Sequence, residues 1–510
     1  MTEHYLDRLA RTINENWDQP ALTDYYLTED GVAQDISRGK QYTYGEMYTE
    51  IIRVSTFLKS IGLQKGDHIA ICGSNSANWV IAYWAIAHMQ GIAVTLMHSV
   101  MVNEITNMVN FSDAKALFVD TLIWNALKDI PLPQVREVIA LDDWSALLGC
   151  QMDAIKVDVS DKDCCFPKVK SDDLAMISFT SGSTGRPKGV MLAHRVHSMG
   201  GESLQSLFPS PRHGSHVMTI LPFGHIFGLA DVNSALYSQC HVYILRQTIH
   251  PSLLLSVITR IQPYRIMLIP MLMDALIAID KNGIMAEWSV FLKYAILGGA
   301  SLPSQTIESL HDRNFPLTVG YGTTESAPMI SISSVTDFKP GSCGKILANT
   351  LVCIADNGEI LVKGENVMLG YYKDPEATVR KIDFDGWLHT GDKGHLDEDG
   401  YLYVEGRLEQ DMIVLPNGEN IHPEDIEYKI NALPEVKESI VLARDGKLVA
   451  IVVPQITNDQ SPMTNTDLRR IILRNVNPQL PLFSQLYDVE ITDTPLHKTE
   501  KQTIKRYLYK

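Results

Sequence analysis

The sequence predicts an α/β protein: a large N-terminal domain of two doubly wound α/β subdomains and a small distorted β-barrel, followed by a small α+β C-terminal domain. Between residues 43 and 319, short apolar runs alternate with segments of helical length, which is the pattern of parallel sheets covered by helices. From about residue 341 the pattern changes to short strands and tight turns. The length of 510 residues also exceeds the size at which one hydrophobic core keeps growing, so two or more domains are expected.

The first alternating set opens with an amphipathic helix over residues 43–61, where apolar side chains recur at helical spacing and Gly62 follows as a C-cap. A helix through Trp79 and Trp84 follows, and we interpret its aromatic side chains as core. Apolar runs predict strands at 68–72, 92–96, 114–119 and 138–141. Strands separated by helix-length segments favour a parallel sheet.

A second alternating set predicts strands at 216–221, 241–245, 265–269, 294–297 and 317–319. Tight turns at 356–358, 385–386 and 397–400 then predict antiparallel hairpins. A small unit follows, with a helix from Pro423 and a hairpin at 444–447. The predicted domain boundaries are 1–406 and 407–510.

Charge and cysteine content argue against several classes of function. The formal net charge of −16 disfavours a general nucleic-acid or anionic-membrane binder, although a local pocket for a phosphorylated ligand remains possible. Seven scattered cysteines without a metal-type pair favour a reducing, cytoplasmic environment. Neither a secretion leader nor a transmembrane segment is expected from the apolar runs.

Residues 178–189, Ser-Phe-Thr-Ser-Gly-Ser-Thr-Gly-Arg-Pro-Lys-Gly, follow the buried-strand run 174–177. Glycines, hydroxyl side chains and Lys188 together make a loop suited to a polyphosphate. It is not the common P-loop, because Lys188 is preceded by Pro187 and followed by Gly189. A flexible surface turn is the alternative interpretation.

Further motifs follow in chain order at 221–228, 297–301, 320–325, 389–392 and 403–407. The small residues of 297–301 let the backbone lie flat against a ring, although a plain strand-end turn would have the same composition. In Gly320-Tyr321-Gly322-Thr323-Thr324-Glu325, a single carboxylate suits magnesium, which usually takes one or two protein carboxylates beside substrate phosphates.

Together these motifs resemble those of the adenylate-forming superfamily, which contains acyl-CoA synthetases, luciferases and the adenylation domains of peptide synthetases. The resemblance covers nearly the whole chain. It implies that Tyr321 stacks on adenine, that the Thr324 hydroxyl meets the α-phosphate, and that Asp392 and Arg407 reach the ribose. The implied ATP site consists of Thr180, Ser181, Gly182, Ser183, Thr184, Gly185, Lys188, Gly298, Gly299, Ala300, Gly320, Tyr321, Gly322, Thr323, Thr324, Asp392 and Arg407.

The same resemblance implies an acyl pocket near Phe223, His225 and Gly299. Apolar segments at 221–235 and 265–275 favour a medium- or long-chain fatty acid, as in fatty acyl-CoA synthetases, although many of these residues would equally be core. Amino-acid adenylation would need a buried carboxylate for the substrate ammonium, and Asp231 is the nearby candidate, without that family's surroundings. Coenzyme A is the implied thiol acceptor, and a carrier protein is the alternative.

Two stretches depart from the family pattern. The hinge segment after Arg407 is one residue longer than usual and lacks its lysine. In the tail, the slot of the usual catalytic lysine falls at Thr503; Lys501 or Lys505 could reach the same place, and we expect Lys501 to do so. The implied catalytic residues are Thr184, Lys188, Thr324, Glu325 and Lys501, with Glu325 as the magnesium ligand.

The resemblance implies a reaction in two steps, with a mobile C-terminal domain that rotates between them. The substrate carboxylate attacks the α-phosphorus of ATP, giving an acyl-adenylate and pyrophosphate. The thiol of coenzyme A then forms the thioester and releases AMP. A luciferase-like oxygenase and a nucleotide-binding protein without turnover are the rival hypotheses.

Overall fold

The structure is a computed structural model. It describes residues 4–25, 40–145, 147, 155–157, 159, 162–180, 187–197, 214–246, 250–280, 283–299, 304–408, 413–416, 419–421, 423–455, 464–497 and 508–509. The chain forms two compact units. The first comprises Met1–His98, Val102–Phe179 and Gly189–Glu405, and the second comprises Ser99–Met101, Thr180–Lys188 and Gly406–Lys510.

Strands and helices alternate through most of the chain. The helices are α1 (Tyr5–Glu15), α2 (Tyr44–Ser60), α3 (Ala77–His88), α4 (Val102–Phe111), α5 (Thr121–Leu127), α6 (Ile226–Tyr237), α7 (Pro251–Ile261), α8 (Pro270–Ile279), α9 (Ile284–Glu287), α10 (Ser304–Asp312), α11 (Pro375–Lys381), α12 (Pro423–Asn431) and α13 (Asn465–Val476). The strands are β1 (Pro20–Tyr25), β2 (Gln41–Thr43), β3 (His68–Cys72), β4 (Ile92–Leu96), β5 (Ala116–Val119), β6 (Glu137–Ala140), β7 (Leu174–Thr180), β8 (Lys188–Ala193), β9 (His216–Thr219), β10 (His241–Leu245), β11 (Arg265–Leu268), β12 (Tyr294–Leu297), β13 (Leu317–Tyr321), β14 (Ser331–Ile332), β15 (Lys345–Ile346), β16 (Thr350–Ile354), β17 (Glu359–Gly364), β18 (Gly370–Tyr371), β19 (Leu388–Leu396), β20 (Leu402–Arg407), β21 (Ile413–Val414), β22 (Asn420–Ile421), β23 (Val436–Arg444), β24 (Lys447–Pro454) and β25 (Leu486–Ile491).

Two large sheets confirm the predicted doubly wound α/β architecture. The first has the spatial order β18-β8-β7-β4-β3-β5-β6, and its pairs β3/β4, β3/β5, β4/β7 and β5/β6 are parallel. The second has the order β15-β14-β13-β12-β11-β9-β10-β1-β2, with parallel pairs from β1 to β13. The strands predicted at 68–72 and 92–96 lie where the sequence placed them.

Helix α3 lies between the two sheets. It contacts β3 and β4 of the first sheet and β1 of the second. A helix that is apolar on all sides belongs in such a place, and Trp79 and Trp84 are completely buried, as predicted. Helix α2 begins where the sequence indicates, because Thr43 and Glu46 form a reciprocal capping box.

The predicted antiparallel piece is a four-stranded sheet in the order β16-β17-β19-β20. The turn at Asp356-Asn357-Gly358 joins β16 to β17, and the turn at 397–400 joins β19 to β20, as the turn residues predict.

The second unit has its own core. Strands β23, β24 and β25 form one sheet, on which α12 and α13 pack. The predicted hairpin at 444–447 joins β23 to β24, and both of its central residues have positive φ, 50° at Asp445 and 72° at Gly446. Among the described residues, no helix is long and apolar enough to cross a membrane.

Candidate active site

The candidate site lies at the carboxyl ends of two neighbouring parallel strands, β12 and β13. Leu297 pairs with Val319, so the residues that follow, 298–299 and 320–325, continue side by side; Gly320 and Tyr321 still belong to β13 and pair with β14. A Cβ at Gly298 would lie 3.7 Å from the carbonyl oxygen of Gly320. Ligands of open α/β sheets bind in this position, outside the carboxyl ends of the strands.

Close packing restricts Gly322 and Gly298 in these segments. A Cβ at Gly322 would lie 1.8 Å from the carbonyl oxygen of Pro328, so no larger residue fits there. At Gly298 a Cβ would lie 3.0 Å from the Phe227 ring, which places the predicted adenine segment against the predicted acyl segment.

Tyr321 and Asp392, assigned separately to adenine and ribose, are joined directly. The Tyr321 hydroxyl donates to Asp392 Oδ2 over 2.6 Å. Asp392 lies on β19 and is almost fully buried. Its backbone N–H donates to Thr390 Oγ1 over 3.0 Å, which holds the strand locally.

Glu359 supports this strand and was not anticipated from the sequence. Its Oε1 accepts from the Gly391 backbone N–H at 2.9 Å, and its Oε2 lies 2.9 Å from His389 Nδ1. The only available signal was a lone acidic residue in front of the apolar run of β17. Glu359 therefore braces the segment that carries Asp392.

Glu325 stands in a 3-10 turn, Thr324–Ser326, directly after β13. Ser326 Oγ accepts from the Thr323 N–H at 2.9 Å, which fixes the turn. Oε1 of Glu325 accepts from the buried Tyr371 hydroxyl at 2.7 Å. Burial is the main cause that raises the pKa of Tyr371, and the charge of Glu325 raises it further. The phenol therefore keeps its proton and acts as a hydrogen-bond donor.

The oxygen donors here suit a hard divalent cation. Glu325 provides a carboxylate and Thr324 a hydroxyl, both partly accessible. Among the described residues, no group of three or more His, Cys, Asp or Glu side chains could hold a metal ion. A cation at Glu325 would therefore take most of its ligands from substrate and water, which is how magnesium is usually bound beside phosphates.

Of the two pocket residues predicted in the acyl segment 221–228, Phe223 is buried and His225 is exposed. Phe223 is in the core, with its ring centroid 5.6 Å from that of Trp79, so it does not line an open pocket. Asn75 holds its backbone, accepting from the Phe223 N–H at 2.9 Å. His225 is exposed and caps α6, where its Nδ1 accepts from the Phe227 N–H at 3.2 Å.

A buried ion pair joins α6 to β11. Asp231 is fully buried, and Arg265 Nη2 donates to its Oδ1 at 2.8 Å. The same Nη2 also donates to Ser234 Oγ at 3.0 Å. Burial raises the pKa of Asp231 in spite of Arg265. Because Asp231 already has a cationic partner, it is not a free anchor for a substrate ammonium.

Several predicted site residues lie outside the described part of the chain. The phosphate loop is bounded by Thr180 at the end of β7 and Lys188 at the start of β8. Arg407 ends β20, and its side chain is not described. Outside the described residues are Ser181, Gly182, Ser183, Thr184, Gly185, Ala300, Lys501 and Thr503.

The fold and the strand-end position of these side chains define an α/β protein of the nucleotide-binding kind. The chain matches the family model of AMP-binding enzymes over residues 9–372, and that of the AMP-binding enzyme C-terminal domain over residues 410–509. The chain therefore belongs to the AMP-binding enzyme family.

Curated relatives with similar sequences include plant ligases. The chain is 27% identical over 426 residues to 4-coumarate:CoA ligase 1 of Petunia hybrida, covering 79% of this chain and 76% of that protein. It is 26% identical over 506 residues to 4-coumarate–CoA ligase 3 of Arabidopsis thaliana, covering 92% and 87%.

Solved structures share the fold over nearly the whole chain. A double mutant of o-succinylbenzoate CoA synthetase from Bacillus subtilis, bound to a product analogue, has a TM-score of 0.80 at 24% identity, covering 98% of this chain and 97% of that one. The amide bond synthetase McbA from Marinactinospora thermotolerans has a TM-score of 0.81 at 22% identity, covering 99% of each chain. A fatty acyl CoA synthetase from Mycobacterium tuberculosis has a TM-score of 0.69 at 23% identity, covering 99% and 97%.

Proposed function

We propose that the protein uses ATP to activate a carboxylic acid as an acyl-adenylate and then transfers the acyl group to coenzyme A. The observation that carries this proposal is the arrangement at the end of β13, where Tyr321 is hydrogen-bonded to Asp392 and Glu325 follows in the next turn. Membership of the AMP-binding enzyme family and the names of the curated CoA ligases support it.

The first step needs stabilisation of negative charge. A carboxylate is a poor electrophile and must first be activated: one of its oxygens attacks the α-phosphorus of ATP as the nucleophile, and the bond from that phosphorus to pyrophosphate breaks. The Thr324 hydroxyl, Thr184, Lys188 and the tail Lys501 are the proposed donors, and loss of one such preorganised donor typically costs about 3 kcal/mol. Magnesium bound at Glu325 would neutralise phosphate charge.

The second step uses the mixed anhydride formed in the first, whose carbonyl carbon is now the electrophile. The thiol of coenzyme A attacks the carbonyl carbon of the mixed anhydride, the C–O bond to the phosphate breaks, and AMP leaves. In this proposal residues 1–406 form the adenylating domain and 407–510 the small domain. The division between the two compact units at Gly406 is compatible with that boundary.

For the acid, we propose a compact aryl acid of the 4-coumarate kind. The curated relatives are named for that substrate. Phe227, near the start of α6, is partly accessible, and a Cβ at Gly298 would lie 3.0 Å from its ring, so an aromatic side chain borders the predicted adenine segment. Such an aromatic surface favours contact with an aryl ring.

A medium- or long-chain fatty acid is the second candidate. The apolar segment 265–275 suggested it, but Met267, Leu268 and Met273 are fully buried in the hydrophobic cores. Much of that apolar surface is therefore already used in packing.

Pyrophosphate release tests the proposal. Purified protein with ATP and magnesium is given 4-coumarate, benzoate, octanoate or palmitate, with and without coenzyme A. Acid-dependent release with formation of the acyl-CoA supports the ligase, and a preference for 4-coumarate supports the aryl acid. Release without thioester points to another acceptor, such as a carrier protein. ATP binding without release from any acid, with Glu325→Ala as the inactive reference, contradicts the proposal.

A further inference from the structure

Tyr371 lies far from Glu325 in sequence but contacts it directly. Its hydroxyl donates to Glu325 Oε1 at 2.7 Å across a separation of 46 residues. The side chain is 5% exposed, so this hydrogen bond is shielded from water. Tyr371 belongs to none of the motifs recognised in the sequence.

The short segment 368–371 fixes Glu325 at two points. The Met368 N–H donates to the Glu325 carbonyl oxygen at 2.9 Å, while Tyr371 holds the carboxylate. One segment therefore restrains both the backbone and the side chain of the proposed metal ligand.

Tyr371 is itself held from two sides. Strand β18 pairs with β8, with Gly370 opposite Met191 and Tyr371 opposite Val190. The Tyr371 N–H donates to Thr378 Oγ1 on α11 at 2.8 Å. Gly370 has a φ of 141°, and a Cβ there would lie 2.7 Å from Thr378 Cγ2, so α11 and β18 are in close contact.

We propose that Tyr371 is a positioning residue for Glu325, holding one carboxylate oxygen so that the group is pre-oriented for a divalent cation beside the nucleotide phosphates. This inference rests on the proposed function. A hydrogen bond to one oxygen removes rotational freedom that the carboxylate would otherwise lose when the cation binds. Outer partners of metal-ligating carboxylates typically contribute roughly 10- to 100-fold to metal affinity or activity.

The chain provides a matched control in the next residue. The Tyr372 hydroxyl also donates to a carboxylate over 2.7 Å, that of Asp113. Asp113 forms an ion pair with Lys373 and takes no part in the proposed site. Tyr371→Phe and Tyr372→Phe therefore remove the same chemical group from two adjacent positions.

The first measurement is the affinity for Mn²⁺ in the presence of α,β-methylene-ATP, and electron paramagnetic resonance detects the bound ion. We expect Tyr371→Phe to weaken Mn²⁺ binding roughly 10- to 100-fold, with nucleotide binding in EDTA unchanged. Tyr372→Phe should bind Mn²⁺ like the wild type. The inference is overturned if Tyr371→Phe binds Mn²⁺ normally, or if both variants lose the same affinity.

The second measurement is the magnesium concentration that gives half-maximal pyrophosphate release. Tyr371→Phe should raise this concentration, and excess magnesium should restore the rate of release. In Glu325→Gln, adding Tyr371→Phe should cause no further loss of Mn²⁺ affinity, because the two groups act as one unit. If Tyr371→Phe does not fold, Thr378→Val, which loosens β18 but keeps the phenol, must weaken Mn²⁺ binding, and unchanged binding overturns the inference. A wild type that binds Mn²⁺ and nucleotide but releases no pyrophosphate contradicts the proposed function alone.

Discussion

The hydrogen bond between Tyr321 and Asp392 orders two side chains that are proposed to hold different parts of one nucleotide. The Tyr321 ring offers a face to adenine, while Asp392 accepts from the Tyr321 hydroxyl and, in the proposal, from ribose. This bond preorganises the carboxylate before the nucleotide arrives.

Tyr321→Phe keeps the ring and removes this bond. This bond is formed before ATP binds, so its loss weakens binding through the lost preorganisation of Asp392. Ordering one side chain costs about 0.5–1.5 kcal/mol, so ATP should bind roughly 2- to 10-fold more weakly, as measured by titration calorimetry. Tyr401→Phe, which removes a tyrosine hydroxyl that donates to Asp337, is the control and should bind ATP normally. Equal affinity in wild type and Tyr321→Phe would contradict the proposed role.

The buried pair Asp231–Arg265 makes a prediction about stability. Removing one partner leaves the other as an uncompensated buried charge, so Asp231→Ala should lower the free energy of unfolding by about 3–5 kcal/mol. The double substitution Asp231→Leu with Arg265→Met removes both charges and should recover most of the loss. Urea denaturation measures both, and a loss below about 1 kcal/mol in Asp231→Ala would show that the pair is not desolvated.

The sequence identifies the site residues that stand in contiguous motifs and misses those that depend on tertiary structure. Tyr321 ends β13 and Thr324 and Glu325 follow it directly, so the three can be recognised together. Tyr371 and Glu359 support Glu325 and the strand of Asp392 from distant segments, and neither leaves a periodic signal. Arg265, the partner of Asp231, is likewise visible only once the sheet is assembled.

At the scale of elements, the segment after β13 depends on a glycine. Gly322→Ala should destabilise the protein strongly, because its Cβ would overlap the Pro328 carbonyl oxygen. Gly320→Ala in the same motif is the matched comparison, since its Cβ would have ordinary contacts at 3.6 Å and beyond. We expect thermal unfolding to show a large decrease in melting temperature for Gly322→Ala and a small one for Gly320→Ala. Equal decreases would contradict the packing argument.

Helix α1 docks through a buried histidine that should make stability depend on pH. The Tyr5 hydroxyl lies 2.6 Å from His194 Nδ1. Burial, with a smaller effect of His4, lowers the pKa of His194 to about 4, although Asp173 opposes this. The unfolded chain binds this proton near pH 6.5, so stability is fully present above that pH and is lost as the pH falls towards 4.

His194→Gln should reduce this dependence. His194 alone is expected to lower the free energy of unfolding by about 3 kcal/mol between pH 6.5 and 4, because over this range mainly the unfolded chain takes up the proton. The melting temperature of the variant should therefore fall less steeply over that range than that of the wild type. His197, whose pKa burial lowers to about 3, remains in both proteins and leaves a residual slope. Parallel curves for the two proteins would contradict the assignment.

Local sequence patterns predicted the strands that are apolar throughout and the turns of the hairpins. They missed elements that are defined by pairing with a distant part of the chain. The apolar runs of β3 and β4 and the turns of the hairpins are readable because each is defined by adjacent residues. Strand β1 was not predicted. It joins β10, with Leu22 opposite Val242, and no short stretch of sequence contains that pairing.

At the scale of the whole molecule, the central proposal is that an acid and ATP react at the α-phosphorus. The two matched family models divide the chain between residues 372 and 410, and the last change from the first compact unit to the second along the sequence falls at Gly406. Both divisions suit an adenylating domain followed by a smaller domain, and the chemistry itself can be followed by a label.

The most direct test uses 4-coumarate labelled with ¹⁸O in its carboxylate, together with ATP, magnesium and coenzyme A, with the products analysed by mass spectrometry. If the carboxylate attacks the α-phosphorus, the oxygen that bridges carbon and phosphorus stays on phosphorus when the thiol attacks the carbonyl. AMP should then carry one ¹⁸O per turnover, and pyrophosphate none. Unlabelled AMP, or label in pyrophosphate or inorganic phosphate, would contradict activation through an acyl-adenylate.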